Sequence, residues 1–416
     1  MKQFLLIQLK YILRMLARAI IKKYHPSVIA ITGSVGKTAT KQAIVAALQN
    51  SRNIRAASGN FNNELGVPLT IIGSGEKIEG YFFWLWVIAR GARAIIANVS
   101  YPEILILEYG VQKPGDMDYL LDIATPSVAV ITAIGETPVH VEFFKDAAAV
   151  AAEKEKLAAA VPGGGFVVLN GDDPIVAAMR SRMHGRVMTV GVDASADIRI
   201  GNIEYLETEV KPVGMAWKVQ YAGSTTPFRL TGVLGKPHVY ATAAGTAVGL
   251  VFGINLVRIV EDIQKYYAPP KHRMQIITRE DGVNIVDDTY NASPIAMEAA
   301  IAAAEALSAR RKVGVLGDMK ELGAYSEAAH RTVGKRAGKI FDVLVVVGPE
   351  ARYIADEANK EKRKKISVTS VPSVAEALEL VPCLLKPGDL VLIKASRGIG
   401  LEKLVEKIAK AKNSQN

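Results

Sequence analysis

The stretch VIAITGSVGKT (Val28–Thr38) decides how the rest of this sequence is interpreted. Its first half is a short run of apolar, mostly β-branched residues, which is typical of a strand buried in a parallel sheet. Its second half, Gly33–Thr38, is a glycine-containing turn that leads into a helical pattern. Such a turn directs backbone N–H groups and the positive end of a helix toward a phosphate. We therefore predict a nucleotide-binding α/β domain.

The turn supplies a complete set of predicted phosphate-binding residues, namely Gly33, Ser34, Val35, Gly36, Lys37 and Thr38. We expect Lys37 to reach the terminal phosphates and Thr38 to place its hydroxyl group on Mg²⁺. The turn is not a full Walker A motif, because its first glycine is Gly33. A surface turn with a solvated lysine is the alternative, but the position directly after a buried strand favours phosphate binding.

Further buried-strand patterns, separated by helical patterns, predict how the domains are organised. They occur at 104–108, 128–132 and 166–170, and again at 283–287, 313–316, 343–347 and 390–394. Tyr266–Lys271 (YYAPPK) breaks the pattern between these groups. We predict an α/β protein with a central P-loop-type parallel-sheet ATPase domain (27–267). A smaller, Rossmann-like α/β domain (268–416) follows it, and a basic amphipathic helix (1–26) precedes it.

Composition narrows the classes of protein to be considered. Half of the 416 residues are hydrophobic and 22% are charged, which supports a large core and argues against disorder. The net charge of +10 suits anionic partners such as nucleotides or anionic lipid. The single cysteine, Cys383, excludes an internal disulfide and fits a reducing cytoplasm. Because the basic residues are dispersed and no nucleic-acid-binding pattern is present, we expect no nucleic-acid partner.

Two apolar stretches raise the question of membrane contact. Near the N-terminus, Lys10, Arg14, Arg18 and Lys22 recur at every fourth residue and form one basic stripe on a helix. These charges exclude a transmembrane span. The helix either lies on an anionic membrane surface or packs against its own domain. For the second stretch, Tyr81–Ile96, we favour a buried helix over a membrane-facing patch.

Several segments resemble the Mur ligase family, in particular its MurF branch. The form TGSVGKT is similar to the phosphate loop of that family. Five further segments match in the family's order: GNFNNELGVPLT (Gly59–Thr70), VLNGDDP (Val168–Pro174), VDDTYNASP (Val286–Pro294), GVLGDMKELG (Gly314–Gly323) and LIKASRG (Leu392–Gly398). The resemblance implies ATP-dependent amide-bond formation through an acyl phosphate. It implies UDP-MurNAc-tripeptide and D-alanyl-D-alanine as substrates in peptidoglycan precursor synthesis, with ATP and two Mg²⁺ ions as cofactors.

The resemblance also implies roles for individual residues. Metal ligands are expected at Thr38, Glu108, His140 and Lys154, the last as a carbamate formed with CO₂. Lys37, Lys154 and His140 are the expected catalytic residues. Arg273, Asp288 and His238 are expected to contact the nucleotide, His238 replacing an asparagine of the family's adenine pocket. Substrate contacts are expected from Asn62, Asn63, Tyr290, Asn291, Lys394, Ser396 and Arg397.

Two alternatives to this function stay open at the level of sequence. One is a Mur-like amide ligase with a folate-type or cyanophycin-type acceptor. The other is a membrane-associated nucleotide-binding protein without catalysis, against which the intact Lys37, Glu108 and Arg273 argue. Members of the MurF branch grip uridine diphosphate with a domain that precedes the phosphate loop, and here only the basic helix precedes it. We expect a cytoplasmic monomer, with a peripheral contact to the inner face of the membrane as an additional hypothesis.

Overall fold

The structure is a computed structural model that describes residues 2–57, 59–74, 80–209, 211–361 and 366–410. Within these residues the chain forms a nine-stranded sheet followed by a six-stranded sheet, both flanked by helices. The predicted α/β fold is therefore confirmed. The two sheets lie on either side of the predicted boundary at residues 267 and 268, which falls between a helix ending at Tyr266 and a strand beginning at Gln275.

The first sheet and its helices occupy the first 266 residues. Its strands are β1 (Ser27–Thr32), β2 (Ile54–Ala56), β3 (Ile104–Glu108), β4 (Val128–Ile131), β5 (Phe166–Asn170), β6 (Arg186–Gly191), β7 (Ile198–Thr208), β8 (Lys211–Tyr221) and β9 (Ser224–Thr231). The helices are α1 (Lys2–Tyr24), α2 (Lys37–Leu48), α3 (Gly66–Ile72), α4 (Gly80–Ile96), α5 (Asp116–Ile123), α6 (Ala147–Ala159), α7 (Pro174–Ala177), α8 (Lys236–Val251) and α9 (Leu256–Tyr266).

The second sheet is assembled from the C-terminal part of the chain. Its strands are β10 (Gln275–Thr278), β11 (Asn284–Asp287), β12 (Arg311–Gly317), β13 (Val343–Val347), β14 (Ser367–Val371) and β15 (Asp389–Lys394). Its helices are α10 (Pro294–Ala306), α11 (Ser326–Ile340), α12 (Arg352–Ala358), α13 (Val374–Leu384) and α14 (Glu402–Lys410).

The strand order of the first sheet creates a binding crevice. The order is β2-β3-β1-β4-β5-β6-β7-β8-β9, and β1 pairs in parallel with β3 on one side and β4 on the other. The register places Ile31 of β1 opposite Glu108 of β3. Because the strand order reverses at β1, the loops after β1 and β3 border a crevice of the kind in which open α/β sheets bind ligands.

The antiparallel strands β7, β8 and β9 extend this sheet and were not predicted. Along β9, buried and exposed residues alternate, as expected for a sheet with one solvated face. Continuous apolar runs identify strands that are buried on both faces, but half-buried strands have a weaker signal. This difference explains why β1, β3, β4 and β5 were predicted and the antiparallel strands were not.

In the second sheet, β15 lies between β11 and β12 and is parallel to both. Asp287 at the end of β11 is in register with Ile393 of β15. The loops that leave these two strands therefore start side by side. This arrangement brings 288–293 close to 395–398 at one edge of the sheet.

Helix α1 packs on its own domain, and its predicted basic stripe faces inward for most of its length. Lys10 bonds Glu64, with 2.6 Å between Nζ and Oε1, and Arg14 and Arg18 both bond the carboxylate of Asp122. Three residues of the same helix are fully buried, namely Leu13, Ala17 and Ile20. One side of α1 thus packs on its own domain, where acids on neighbouring segments pair three of the four residues of the stripe, Lys10, Arg14 and Arg18.

Helix α4 forms where an apolar helix was predicted, but the expectation that it is buried is wrong. Val87 and Ala94 pack inward, whereas the side chain of Phe82 is 87% exposed and that of Leu85 is 63% exposed. The helix is therefore amphipathic with an apolar outer face. In the described part of the chain, no helix combines the length and apolar character that crossing a bilayer requires.

Candidate active site

The phosphate loop between β1 and α2 requires glycine at two positions. Gly33 has a φ of +143°, and a Cβ atom there would lie 2.0 Å from Oγ1 of Thr132. Gly36 has a φ of +92° and caps the N-terminus of α2 in a left-handed conformation. The chain can therefore turn sharply and direct the first turn of α2 into the crevice.

The loop is attached to the end of β4 through the backbone of Ala133. The carbonyl oxygen of Ala133 accepts hydrogen bonds from the Ser34 and Val35 amides, at 2.7 and 3.2 Å. These two amides were expected to bind phosphate, but in this structure they fix the shape of the loop. The donors that remain for a phosphate are those of the first turn of α2, which have no partner within a helix.

Lys37, at the start of α2, lies where an anion would bind. Its Nζ donates to the carbonyl oxygen of Gly33 at 2.7 Å. Burial lowers the pKa of Lys37, Glu108 raises it, and Arg273 lowers it further from across the cleft. Two cations that repel each other in a poorly solvated cleft favour binding of a negatively charged group between them.

Glu108, at the end of β3, is buried and surrounded by polar groups at long distances. Oγ1 of Thr38 lies 3.2 and 3.3 Å from its two oxygens, and Nδ2 of Asn62 lies 3.4 Å away. Lys41 lies 3.7 Å from Glu108 and donates to a backbone carbonyl at 2.7 Å. Lys41 was not predicted as a site residue, although it lies one helical turn after Lys37 on the same face.

The Thr38 hydroxyl and the Glu108 carboxylate fit one Mg²⁺ ion. Among the described residues, no group of three or more His, Cys, Asp or Glu side chains is placed to hold a metal. Mg²⁺ needs no such group, because it usually binds one or two carboxylates, water and substrate phosphates. These two residues therefore supply the oxygen ligands that such a site requires.

His140 contacts the C-terminal domain, and no contact joins it to Glu108 in the described part of the chain. Its Nδ1 lies 2.6 Å from Oε2 of Glu321, an ion-pair distance without the angles of a hydrogen bond. This pair links the loop before α6 to the loop after β12. The structure therefore does not bring together the second metal site expected at His140.

Lys154 of α6 is buried close to Lys37 and has no carboxylate bonded to its Nζ among the described residues. Burial lowers the pKa of Lys154 to about 7, and Lys37 contributes to the same decrease. Lys156 faces elsewhere, because it bonds Asp118 at 2.6 Å and Glu153 at 2.8 Å. Only Lys154 of the two lysines is thus an unpaired buried amine near the phosphate loop.

On the opposite wall of the cleft, Arg273 faces the phosphate loop. Its guanidinium group stacks over the ring of Tyr290 at 4.0 Å, and Arg397 lies 5.5 Å from the same ring. A cavity of about 40 Å³ is lined jointly by residues of both domains, including Gly36, Arg273, Asp288 and Lys394. Arg273 therefore lies beside the phosphate loop, and its contact with the nucleotide stays a prediction.

Asp288 and Lys394, on the same wall, bond each other. Nζ of Lys394 lies 2.6 Å from Oδ2 of Asp288 and 2.8 Å from the carbonyl oxygen of Asn291, and Oδ1 of Asp288 accepts from the Met274 amide. Both side chains are buried. Both side chains also line the small cavity next to Arg273, so the expected contacts of Asp288 with a ribose and of Lys394 with a substrate carboxylate stay predictions. The pair fixes the loop that carries Tyr290 and Asn291.

Of the remaining predicted substrate residues, Ser396 is buried and Arg397 is exposed. Oγ of Ser396 accepts from the Lys320 amide at 2.9 Å and so joins two loops. Arg397 remains accessible to a carboxylate. On the other side of the cleft, Asn62 and Asn63 line a cavity of about 490 Å³ together with Lys37 and His140.

His238 has a structural role that was not predicted. Its Nδ1 lies 2.6 Å from the hydroxyl of Tyr267, and its Nε2 lies 3.0 Å from the carbonyl oxygen of Arg273. Burial lowers the pKa of His238 to about 4, so the ring is neutral and Nε2 carries the proton that the carbonyl accepts. Both ring nitrogens therefore hold the segment between the domains, and neither is free for a base.

A third cavity, of about 810 Å³, lies between the two domains next to the phosphate loop. Gly36, Asn170, Ala241 and Pro294 are among its lining residues. At its edge, the hydroxyl of Tyr240 donates to Asp172 at 2.5 Å. No single sequence motif identifies this cavity, because its walls come from distant segments.

Comparison with known proteins agrees with this geometry. Residues 91–249 match the family model described as "Mur ligase middle domain". Residues 272–397 match that described as "Mur ligase, glutamate ligase domain". The two matches together cover the phosphate cleft from both sides, although the loop itself precedes the first of them.

Curated relatives match most of the chain. The UDP-N-acetylmuramoyl-tripeptide–D-alanyl-D-alanine ligase of Mycobacterium tuberculosis is 34% identical over 397 residues, covering 90% of this chain and 71% of the relative. The enzyme of the same name from Bacillus subtilis is 31% identical over 400 residues, covering 95% of this chain and 78% of the relative.

A solved structure has the same fold. The MurF ligase from Thermotoga maritima in complex with ADP superposes with a TM-score of 0.78 at 28% identity, covering 96% of this chain and 83% of that one. The resemblance stated from the motifs is therefore confirmed over nearly the whole chain. This chain belongs to the Mur ligase family.

Proposed function

We propose that this Mur ligase uses ATP to join D-alanyl-D-alanine to UDP-N-acetylmuramoyl-tripeptide in peptidoglycan precursor synthesis. The observation that carries the proposal is the position of Arg273, which lines a cavity with Gly36 of the phosphate loop and lies close enough to Lys37 to lower the pKa of that lysine. The names of the 31–34% identical relatives support this choice of substrates.

ATP is the proposed energy source. Its phosphates would lie at the first turn of α2 between Lys37 and Arg273, where the buried positive charge needs an anion. Its base and ribose would occupy the cavity of about 810 Å³ that adjoins Gly36. The solved relative from Thermotoga maritima contains ADP, which supports this assignment.

Mg²⁺ is the proposed metal, with Thr38 and Glu108 as its protein ligands. When bound, it would neutralise charge on the terminal phosphates. Lys41 keeps Glu108 in place from the opposite side, at 3.7 Å. The hydroxyl and the carboxylate are thus held at the end of the crevice in which the phosphates would lie.

The proposed reaction has two steps. The terminal carboxylate of the tripeptide attacks the γ-phosphorus of ATP, so that an acyl phosphate forms and ADP leaves. The amine of D-alanyl-D-alanine then attacks the acyl carbon, and the C–O bond to phosphate breaks. Lys37 and Arg273 assist by reducing the repulsion between the carboxylate and the triphosphate, both of which are anions.

The two organic substrates would approach from different sides. The cavity of about 490 Å³ that contains Asn62, Asn63 and His140 opens next to Lys37 and suits the acceptor. Arg397 and Tyr290, on the opposite wall, suit the carboxylate of the incoming dipeptide because a guanidinium group binds carboxylates with two parallel hydrogen bonds.

Lys154 is the proposed carbamate-forming residue. Only a neutral amine reacts with CO₂, and a pKa of about 7 makes a large fraction of the Lys154 amine neutral near neutral pH. The product would be an anion close to Lys37, which would relieve the repulsion between the two lysines. We further propose that the protein acts in the cytoplasm, where ATP is available, and that it is a monomer.

A substrate panel tests the proposal. Purified protein would be incubated with Mg·ATP, UDP-N-acetylmuramoyl-tripeptide and D-alanyl-D-alanine, and the product would be identified by mass spectrometry with phosphate release measured in parallel. We expect an amide product that is absent when either substrate is omitted. Turnover only with a folate or a polypeptide acceptor would contradict the substrate assignment.

The substitution Lys37→Ala supplies the matched control for that assay. Loss of the lysine should lower turnover by about 10²–10³-fold, because a preorganised cation at the reacting phosphate is removed. Far-UV circular dichroism and the melting temperature should remain as in the unmodified protein, since Lys37 is the first residue of α2 and, among the described residues, its Nζ bonds only the carbonyl oxygen of Gly33. A variant with unchanged turnover would contradict the phosphate assignment.

A further inference from the structure

We infer that the outer face of α1 and α4 is a docking surface for an anionic lipid bilayer. In the described part of the chain, most of the exposed large hydrophobic side chains lie on these two helices. They are Phe4, Leu5, Leu6, Ile7, Tyr11, Ile12 and Met15 on α1 and Phe82, Leu85, Trp86 and Ile96 on α4. This set is called the α1/α4 surface below.

The two helices run in the same direction, which places their apolar N-terminal halves at the same end. Near the C-terminal ends, Nζ of Lys23 donates to the carbonyl oxygens of Ala94, Ile95 and Ala97. Farther toward the N-termini, the side chain of Leu16 contacts the position of Gly91. The apolar side chains therefore form one surface and are not scattered individually, as exposed hydrophobic residues usually are.

On both helices the face that exposes apolar side chains also carries a cation near its C-terminal end. On α1, Phe4, Tyr11 and Met15 share one face with Lys22, and Phe4 and Tyr11 are 64% and 58% exposed. On α4, Phe82 shares its face with Arg93, eleven residues later. Lys22 and Arg93 are exposed, and their side chains bond no other described residue.

The charge of these helices selects a bilayer over a protein partner. Together they contain eight basic residues and no acidic residue. Lys10, Arg14 and Arg18 pair with acids of their own domain, whereas Lys22 and Arg93, near the C-terminal end of the surface, are exposed and accessible to a partner. Apolar and aromatic side chains that enter the acyl region, with lysine and arginine at the level of anionic headgroups, are the features of a helix in a membrane interface.

The α1/α4 surface is continuous with the cavity proposed for the acceptor. Ile7 and Tyr11 belong to the surface and also line the cavity of about 490 Å³ that contains Lys37 and His140. A docked bilayer would therefore border the entrance to the active site. This consequence rests on the proposed function, whereas the docking itself does not.

Vesicle flotation with the full-length protein, without nucleotide or substrates, tests the inference. We expect at least tenfold stronger binding to vesicles of phosphatidylcholine with phosphatidylglycerol than to phosphatidylcholine alone, weakening as salt is raised. The double substitution Phe82→Gln/Leu85→Gln removes apolar contacts and should lower binding to the anionic vesicles by at least about tenfold. Lys22→Gln/Arg93→Gln should lower it by roughly ten- to thirtyfold.

Matched substitutions elsewhere separate the surface from general effects of charge and hydrophobicity. Val257→Gln replaces a side chain that is 51% exposed on α9, and Lys335→Gln/Lys339→Gln removes two exposed cations of α11. Both controls should bind vesicles as the unmodified protein does. None of these residues was assigned to the active site, so ATP turnover with soluble substrates should be unchanged in every variant.

Three results would overturn the inference. The first is that the unmodified protein floats with neither vesicle, and the second is that all variants bind equally. The third is a dimer in light scattering that Phe82→Gln/Leu85→Gln converts to monomer without any change in flotation, since the surface would then join two copies of the chain. Because no substrate is present, failure of flotation would leave the ligase proposal standing.

Discussion

Two acid–lysine pairs lie on opposite walls of the cleft, and they differ in how completely the acid is satisfied. On the C-terminal wall, Asp288 and Lys394 are 2.6 Å apart, and each has a further backbone partner. On the central wall, Glu108 is 3.7 Å from Lys41, and its other contacts, with Thr38 and Asn62, are longer than 3.1 Å. Asp288 has little to gain from a ligand, whereas Glu108 has room for a closer cation.

The comparison extends to a third buried lysine, Lys154, which has no acid bonded to it among the described residues. A buried charge without a partner is costly, and the lowered pKa is the usual result. In the C-terminal pair, the charged groups of Asp288 and Lys394 are therefore fully paired. The central domain instead holds an incompletely coordinated carboxylate and a reactive amine next to the phosphate loop.

The largest expected effect comes from Glu108→Gln, which tests whether Glu108 is the ligand-binding acid of the two pairs. The amide keeps the size of the side chain but weakens its affinity for Mg²⁺, so turnover should fall by about 10²–10³-fold. Steady-state kinetics over a range of Mg²⁺ concentrations measures it. If Glu108→Gln kept more than a tenth of the activity, or if its dependence on Mg²⁺ concentration did not change, the assignment of Glu108 as the ligand-binding acid would be wrong.

The next largest effect concerns stability. Here, breaking the C-terminal pair should have a larger effect than breaking the central pair. Lys394→Met leaves Asp288 buried without its cation and should reduce the free energy of unfolding by about 3 kcal/mol. Lys41→Met leaves Glu108 with two neutral hydrogen-bond donors and should cost only about 1 kcal/mol. Urea denaturation of the two variants measures the difference.

A double variant provides the control for this prediction. Lys394→Met/Asp288→Asn removes the unpaired charge and should recover a large part of the lost stability. If Lys41→Met proved as destabilising as Lys394→Met, the distinction between the fully paired Asp288 and the incompletely paired Glu108 would be wrong.

The smallest expected effect is a pH dependence that originates at Lys154. With a pKa of about 7, the neutral fraction of the amine falls roughly tenfold between pH 8 and pH 6, and activity limited by carbamate formation should fall in parallel. Lys154→Arg cannot form the carbamate, so its activity should not show this pH dependence. A wild-type profile that is unaffected by removal of CO₂ and bicarbonate would contradict the carbamate.

The lowered pKa of Lys154 also makes the free energy of unfolding depend on pH. The pKa of Lys154 is lowered in the folded chain, so between about pH 7 and its ordinary value the unfolded state binds the additional proton. The contribution of Lys154 to the free energy of unfolding should therefore increase as the pH rises through this window. Lys154→Met should remove this part of the pH dependence.

The sequence was most informative about the site where several residues of one short segment act together. The phosphate loop is continuous, so its glycines, Lys37 and Thr38 could all be assigned from their spacing. Asp288 and Lys394 were recognised as functional candidates, but their pairing could not be foreseen because 106 positions separate them. The same limit applied to His238, whose partners lie on a different segment.

By itself, the amino-acid sequence determined most of the parallel strands, the phosphate loop and the family, because continuous apolar runs and closely spaced motifs are local properties. Only the tertiary structure decided which charged side chains pair with one another and which lack a close partner of opposite charge. It turned the basic stripe of α1 toward Glu64 and Asp122, exposed the apolar face of α4, and left Glu108 and Lys154 incompletely paired. Charge pairing and burial depend on which distant segments meet, and no spacing along the chain contains that information.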